Sequence, residues 1–316
     1  MSLNTITNPW VSFCMSTYKR PQLLKTQLHI ISQQTFTNFE VIISDNDPEN
    51  SARKIVDDLN DQRFKYFSNG ENIGMIPGFN LSIERSIADY VVMITDDDPV
   101  QVNFLSDIFE IYTRNKGYGI YAGFLRKKKS ADKIELIDGD RFPEEILNPA
   151  KTEKILWSSC IIEKNIVFKI GKIPDYGSPH LADHALIVMA GSISGGVVIN
   201  KMYSRLSSHE TNFSKSNFLT YKTGCAGFYA TLTYFFKSHP RFKYIKKSID
   251  KHLKSWVITN IFALKKYYTL HKNIHVLSEI DITAKNIFCL HFMQHFKLNY
   301  YSKNLIFYIK KNLKIL

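Results

Sequence analysis

Cysteine is scarce in this chain, and the four that occur lie far apart. Cys14, Cys160, Cys225 and Cys289 form no CxxC pair among the 316 residues, which argues against the common zinc and dithiol motifs. Scattered thiols of this kind are typical of buried free cysteines in a reducing compartment. We therefore expect a cytoplasmic protein without structural disulfides.

Long apolar runs and low-complexity segments are also absent. No uninterrupted apolar run reaches about 18 residues, so the sequence predicts no membrane-spanning helix. The first residues lack a charged segment followed by an apolar core, so no signal peptide is expected. No glycine-rich phosphate loop with Walker spacing is present. What remains is a globular chain with room for one large or two modest domains.

Acidic residues are rare in the C-terminal quarter. Residues 237–316 contain 16 Lys and Arg but only 3 Asp and Glu, a net charge of +13, whereas the whole chain has a formal charge of +12. The basic character thus belongs to the C-terminal part. Lysines mixed with aromatic and aliphatic residues favour helices that rest on an anionic membrane surface. Nucleic-acid binding, which we do not favour, and a solvated helical domain or oligomer contact are the alternatives.

Apolar segments alternate with amphipathic segments over the first hundred residues. The candidate strands are 10–17, 39–44, 64–67 and 90–94. Helical patterns follow the first three, with one helix expected at about 50–60 and another at about 77–88. This alternation predicts a doubly wound, mostly parallel α/β sheet flanked by helices. The pattern becomes helical from about residue 217, so we expect a catalytic domain at 1–215 and a basic helical region at 216–316.

Acidic side chains follow two of these strands at the point where each ends. Asp45 and Asp47 follow the second strand, and Asp96, Asp97 and Asp98 follow the fourth. Carboxyl ends of parallel strands meet at one edge of a sheet, where α/β proteins bind ligands. Adjacent carboxylates repel one another, so a divalent metal that carries a phosphate is expected there. A polar turn is the alternative for the triple acid, and an Asx turn is the alternative for Asp45.

Four motifs, in order, resemble those of family 2 glycosyltransferases with the GT-A (Rossmann-like) fold. They are STYKRP at 16–21, EVIISDN at 40–46, ENIG at 71–74 with Asn80, and YVVMITDDD at 90–98. The resemblance covers about a third of the chain. It implies a metal-dependent, inverting transfer of a sugar from a nucleotide-sugar donor, with UDP-sugars favoured. The implied acceptor is a glycan or a lipid-linked glycan of bacterial surface polysaccharide, such as O-antigen, capsule or lipooligosaccharide.

The same resemblance implies roles for individual residues. The donor nucleotide would be lined by Thr17, Tyr18, Arg20, Asp45, Asn72, Gly74, Asp96 and Asp97. Mn²⁺ or Mg²⁺ would be held by Asp97 and Asp98, and the register of the triple acid leaves open which is the principal ligand. His209 would complete the metal shell, with a solvated or acceptor-facing side chain as its alternative. Asp183 would act as general base, with a first-turn position favoured by the helix dipole as its alternative.

Two other functions compete with glycosyl transfer. A sugar nucleotidyltransferase would also place acids and a metal at the sheet edge, but it would lack the base and usually has a basic phosphate-binding loop near its N-terminus. A non-catalytic, membrane-associated scaffold with a transferase-like fold would have lost the metal acids, which are intact here. The sequence therefore favours a glycosyltransferase that is cytoplasmic and peripheral at the inner face of the cytoplasmic membrane.

Overall fold

The structure is a computed structural model that describes residues 8–124, 134–149, 155–205, 217–273 and 275–313. The chain divides into two compact units. The first unit comprises Met1–Pro143, Glu153–Asp175 and Ala182–Ser207, and the second comprises Glu144–Thr152, Tyr176–Leu181 and Ser208–Leu316. Two short segments upstream of residue 215, 144–152 and 176–181, thus cluster with the C-terminal helices.

The first unit is built on an eight-stranded sheet within the described residues. Its strands are β1 (Val11–Thr17), β2 (Phe39–Asp45), β3 (Phe64–Ser68), β4 (Tyr90–Met93), β5 (Ile120–Phe124), β6 (Ile134–Ile137), β7 (Ile155–Glu163) and β8 (Gly196–Ile199). Their order is β3-β2-β1-β4-β7-β5-β8-β6. Six strands run in one direction, and β6 and β7 run in the other. The expected mostly parallel α/β sheet is confirmed.

Seven helices of the described residues belong to, or begin in, this first unit. They are α1 (Pro21–Ser32), α2 (Arg53–Asp58), α3 (Met75–Arg85), α4 (Phe104–Arg114), α5 (Phe142–Leu147), α6 (Lys164–Lys169) and α7 (Ala182–Ser194). Pro21 begins α1, where its fixed φ suits the first turn, and Leu24, Leu28 and Ile31 bury one face.

The core lies on both faces of β1 and β4, whose apolar side chains are buried throughout.

The predicted bounds of two helices were wrong. The helix expected at 50–60 is confined to α2, and the helix expected at 77–88 is α3, which starts two residues earlier and ends at Arg85. Gly74 takes a φ of +93° before α3, a conformation that favours glycine. Because α3 begins at Met75, Pro77 lies in its first turn. Backbone N–H groups there have no intrahelical acceptor, so the N–H that proline lacks is not needed. Ser86 is extended and ends the helix.

The second unit is helical in its described residues beyond 217. Its long helices are α8 (Tyr221–Phe236), α9 (Phe242–Leu270), α10 (Val276–Phe288) and α11 (Lys297–Asn312). Along α9 the residues at 245, 249, 253, 257 and 261 are all fully buried, and their four-residue spacing places them in one row facing the other helices. Within the described residues, no helix combines the length and apolarity that crossing a bilayer requires.

Candidate active site

The three aspartates follow β4 at the edge where β1 also ends. Asp96 and Asp98 are buried. The hydroxyl of Thr17 donates to Asp96 Oδ2 at 3.0 Å. Arg20 Nη1 donates to Asp96 Oδ1 at 3.2 Å and to Asp97 Oδ2 at 3.3 Å. Four residues that the sequence assigned to the donor site, from two distant motifs, are therefore in direct contact.

The electrostatics of this cluster favour a cation. Burial raises the pKa of Asp96, and the nearby charge of Arg20 opposes that rise. Arg20 pairs with both carboxylates, so Asp96 and Asp97 share its one guanidinium charge. Because two partly desolvated carboxylates side by side are unfavourable, binding of a positive ion to them would relieve their repulsion.

Gln27 fixes the turn that contains the third acid. Its side-chain amide donates to the backbone carbonyl of Asp98 at 2.8 Å, and Gln27 itself is buried. Sequence reasoning missed this residue. The signal was a polar side chain on the apolar face of α1, between Leu24 and Leu28, because a buried polar group is normally retained only with a partner.

Asp45, at the end of β2, is engaged by its own loop. Its side chain is fully buried, and Oδ1 accepts a bond from the backbone of Asp47 at 2.9 Å. Oδ2 accepts bonds from the backbone of Ala52 at 3.3 Å and from the hydroxyl of Tyr66 at 3.0 Å. Burial, together with this carboxylate, raises the pKa of Tyr66 to about 12. Asp45 remains a predicted contact of the nucleotide-sugar donor.

Asn46 joins the ends of β1 and β2 to the loop before α3. Its amide nitrogen donates to the carbonyl of Gly74 at 3.0 Å and to the hydroxyl of Ser16 at 3.3 Å. Its oxygen accepts a bond from Asn69 at 2.8 Å, and Asn72 accepts the backbone N–H of Gly74 at 3.1 Å. A carboxylate at position 46 could not donate to Gly74. An asparagine here thus both donates and accepts, and it ties the loop before α3 to the ends of β1 and β2.

Gly78 allows α3 to approach this edge closely. A Cβ at this position would lie 2.3 Å from Ser16 Oγ and 3.1 Å from Asn46 Nδ2. Both distances are shorter than van der Waals contact, so a larger residue would displace either α3 or the side chains that hold the Gly74 loop. Gly78 was not recognised in the sequence, because a glycine within a helical pattern gives no indication of what lies opposite.

Of the remaining predicted residues, the structure describes Asp183 and Tyr18 but not His209. Asp183 occupies the first turn of α7, after Leu181 with a φ of +69°, and α7 packs on β5 and β7. Its carboxylate is 27% exposed and lies 3.7 Å from His184 Nε2. Tyr18 is exposed beside Thr17. His209 lies outside the described residues.

The side chains at this edge suit a metal ion that is held partly by protein carboxylates and partly by the substrate. Within the described ranges, no three His, Cys, Asp or Glu side chains converge as a ready-made metal site. Mg²⁺ and similar ions are commonly bound by only one or two carboxylates together with substrate phosphates. Asp97 and Asp98, adjacent at the carboxyl edge of the sheet, supply oxygen ligands of that kind. The residues present therefore fit Mn²⁺ or Mg²⁺ bound together with a diphosphate.

Comparison with known proteins gives a family match and a relative. Residues 12–167 match the family described as Glycosyl transferase family 2. The GalNAc(5)-diNAcBac-PP-undecaprenol beta-1,3-glucosyltransferase of Campylobacter jejuni is 25% identical, in an alignment that covers 78% of this chain and 88% of that protein. The region that matches the family, 12–167, contains the four motifs and the acids at the sheet edge.

Two solved structures share the fold. TarS 1-349 of S. aureus in complex with UDP-GlcNAc aligns over 92% of each chain with a TM-score of 0.54 and 12% identity. The mannosyltransferase PcManGT of Pyrobaculum calidifontis in complex with GDP-Man and Mn²⁺ aligns over 95% of this chain and 88% of that one, with a TM-score of 0.56 and 13% identity. At this identity the likeness establishes the architecture only.

Proposed function

We propose that this chain, whose residues 12–167 match glycosyl transferase family 2, moves a sugar from a nucleotide-sugar donor to a lipid-linked glycan of a bacterial surface polysaccharide. The observation that carries this proposal is the convergence of Thr17 and Arg20 on Asp96 and Asp97 at the carboxyl edge of the sheet. The family match favours glycosyl transfer over the nucleotidyl-transfer and scaffold alternatives.

The donor would lie across the ends of β1 and β4. Arg20 and Thr17 hold the acids in place, and the exposed ring of Tyr18 is available to the nucleotide. Asn72 and Gly74 would border the same edge, because Asn46 ties their loop to it. UDP-sugars remain the favoured donors, in keeping with the fold neighbour solved with UDP-GlcNAc. The neighbour solved with GDP-Man makes GDP-sugars the first alternative.

The reaction would be metal-dependent, with Asp97 and Asp98 holding Mn²⁺ or Mg²⁺. The ion would neutralise charge on the departing nucleoside diphosphate. His209 is proposed as a further ligand. The backbone of Arg205 bonds to the carbonyl of Pro99 at 3.2 Å, one residue after Asp98. His209 follows Arg205 by four residues in the sequence, which supports this assignment.

Asp183 is proposed as the general base of an inverting transfer. It would take the proton of the acceptor hydroxyl while that oxygen bonds to the anomeric carbon and the bond to the nucleoside diphosphate breaks. Its partly exposed carboxylate is accessible to an acceptor. A base of this kind contributes about 10²–10⁴ in rate, so Asp183→Asn should bind donor normally and lose transfer by that factor.

The acceptor proposal draws on the Campylobacter relative, whose name specifies a glycan on PP-undecaprenol. Such an acceptor is embedded in a membrane, so we propose that this protein works peripherally at the inner face of the cytoplasmic membrane. The basic C-terminal quarter, with its net charge of +13, suits an anionic surface.

Donor binding tests the proposal directly. Calorimetry with UDP-, GDP-, dTDP- and CMP-sugars, with and without Mn²⁺, should reveal one donor that binds only with the metal. Asp97→Asn and Asp98→Asn should weaken that binding. Asp57→Asn, at an exposed position of α2, is the matched control and should bind as wild type does. Unchanged metal-dependent binding in both site variants would remove the metal role from the triple acid.

A further inference from the structure

The outward side of α11 carries apolar residues. Leu298 and Leu305 are 82% and 64% exposed, Tyr301 and Ile309 are also exposed, and Leu313, which directly follows the helix, is 62% exposed. Their spacing of three and four residues places them along one side of the helix. We call these five residues the outer face of α11. Tyr300 and Phe307 are buried on the opposite side, so α11 is apolar on both sides although only one of them packs in the second unit.

A groove beside the outer face combines apolar and basic side chains. It has a volume of about 390 Å³ and lies between α9 and α11. Ile258, Phe262, Ile306 and Phe307 line it, together with Lys303 and Lys310. These two lysines are seven residues apart, so they lie on the same side of α11, about 10.5 Å apart along its axis. Ile306 is 52% exposed and lies between the groove and the outer face.

Charge decides which occupant fits this surface. Among the described residues, no carboxylate lies within ion-pair distance of Lys303 or Lys310. The surrounding sequence has a net charge of +13 between residues 237 and 316. A second copy of this chain would bring the same positive charge against it and be repelled. An anionic surface with an apolar interior matches both the lysines and the outer face.

A buried cluster fixes the rotation of α11 about its own axis. Tyr300 and Tyr308, both on α11, donate to Asp281 of α10 at 2.8 and 2.6 Å. Lys265 of α9, which is fully buried, forms an ion pair with Asp281 and donates to Asn304 of α11. These bonds hold the inner side of α11 against α9 and α10, so its apolar outer face is oriented before any partner arrives.

We propose that the outer face of α11 docks on an anionic phospholipid bilayer, and that the groove takes the phosphate of one lipid between Lys303 and Lys310. The apolar outer face would enter the boundary between headgroups and acyl chains, with Ile306 next to the bound lipid. This inference rests on the peripheral-membrane part of the proposed function and assigns it to one surface.

Flotation with vesicles tests this docking surface. The wild-type chain should float with phosphatidylcholine vesicles that contain phosphatidylglycerol, should float poorly with phosphatidylcholine alone, and should be released by salt. Lys303→Ala with Lys310→Ala should lower the partition coefficient about 25-fold, because each lysine near an anionic surface contributes about fivefold. Leu305→Gln with Ile309→Gln should lower it at least about tenfold.

Matched controls distinguish the loss of this particular surface from a general loss of positive charge or apolar area. Lys272→Ala with Lys285→Ala removes the same charge from other exposed positions of this unit, and Ile282→Gln replaces an exposed apolar residue of α10. Both controls should float as wild type does. An equal loss in the lysine control, or unchanged flotation of both test variants, would overturn the assignment. So would a dimer in light scattering that Leu305→Gln with Ile309→Gln abolishes.

Donor turnover without vesicles distinguishes this inference from the proposed function. The surface variants should turn over donor at the wild-type rate, since none of these residues belongs to the candidate active site. A chain that turns over donor but ignores vesicles would refute only the docking surface. A chain that binds vesicles but turns over no nucleotide-sugar would refute only the proposed function.

Discussion

Replacing Asp281 by Asn should destabilise the second unit strongly at pH 7 and much less at pH 9. In the wild-type chain, burial lowers the pKa of Lys265 and the adjacent Asp281 carboxylate opposes that shift. Burial also disfavours the charged form of Asp281, but bonds from Lys265, Tyr308 and Tyr300 outweigh it and lower its pKa. Removing the carboxylate leaves a fully buried ammonium with Asn304 and aromatic rings as neighbours.

The size of the effect follows from the proton on Lys265. Breaking a buried ion pair by removing one partner costs about 3–5 kcal/mol. The cost of burying the unpaired Lys265 charge cannot exceed the cost of deprotonating Lys265, because the side chain can lose its proton instead. For a lysine of ordinary pKa, deprotonation costs about 4.6 kcal/mol at pH 7 and about 1.9 kcal/mol at pH 9. In the variant, the unfolded chain binds more protons than the folded one, so stability rises with pH. We expect a loss of about 4 kcal/mol at pH 7 that falls to about 2 kcal/mol at pH 9.

Urea unfolding followed by the fluorescence of Trp256 measures this loss. Trp256 packs against Tyr221 in the second unit, and replacing Trp10 and Trp157 by Phe in every variant leaves it as the only tryptophan. Lys265→Met should cost less, about 3 kcal/mol, because two tyrosine hydroxyls still donate to Asp281, and this loss should not recover at pH 9.

The control for this experiment is a partly exposed ion pair on the same helix. Lys246 and Asp250 lie 3.1 Å apart on α9, and their side chains are 40% and 25% exposed. Asp250→Asn should therefore cost at most about 0.5 kcal/mol. If Asp281→Asn costs no more than this control, or costs the same at pH 7 and pH 9, the account of a desolvated lysine is wrong.

Three further predictions concern the candidate active site. Gln27→Leu should weaken metal-dependent donor binding several-fold in calorimetry while costing about 1–2 kcal/mol of stability, because the Asp98 carbonyl loses its donor; normal donor affinity would show that Gln27 does not position the turn. Tyr66→Phe should cost about 1–2 kcal/mol in urea unfolding, since Asp45 Oδ2 loses a hydroxyl; no change would mean that another donor replaces it. Gly78→Ala should cost about 1–3 kcal/mol by overpacking, and an unchanged or raised melting temperature would contradict the close approach of α3.

The parts of this protein that the sequence predicted are those with local signals. Alternating apolar and amphipathic segments predicted the parallel strands β1 to β4, and acids directly after β4 predicted the edge where Arg20 and Asp96 meet. The antiparallel insertion of β7 beside β4 was not predicted, because pairing between segments about 70 residues apart leaves no periodic trace in either.

The bonds inside the site could not be predicted for a related reason. Asp45 is predicted to contact a nucleotide, and in the structure its carboxylate also accepts bonds from Asp47, Ala52 and Tyr66. Choosing between a ligand contact and a loop contact requires knowing which donors tertiary packing brings near. Asn46 is similar, since its use as both donor and acceptor became evident only once Gly74 and Asn69 were placed beside it.

The position of β7 also affects how the chain folds during its synthesis. Residues 11–93 can form β1 to β4 as soon as they emerge, but one edge of β4 stays open until β7, which ends at Glu163, is made. That is about 70 further residues, or roughly 4 to 14 seconds at 5–20 residues per second. Throughout that interval the apolar edge Tyr90–Met93 offers unpaired backbone groups to other nascent chains. We therefore expect chaperone demand to peak between the synthesis of the triple acid and that of β7.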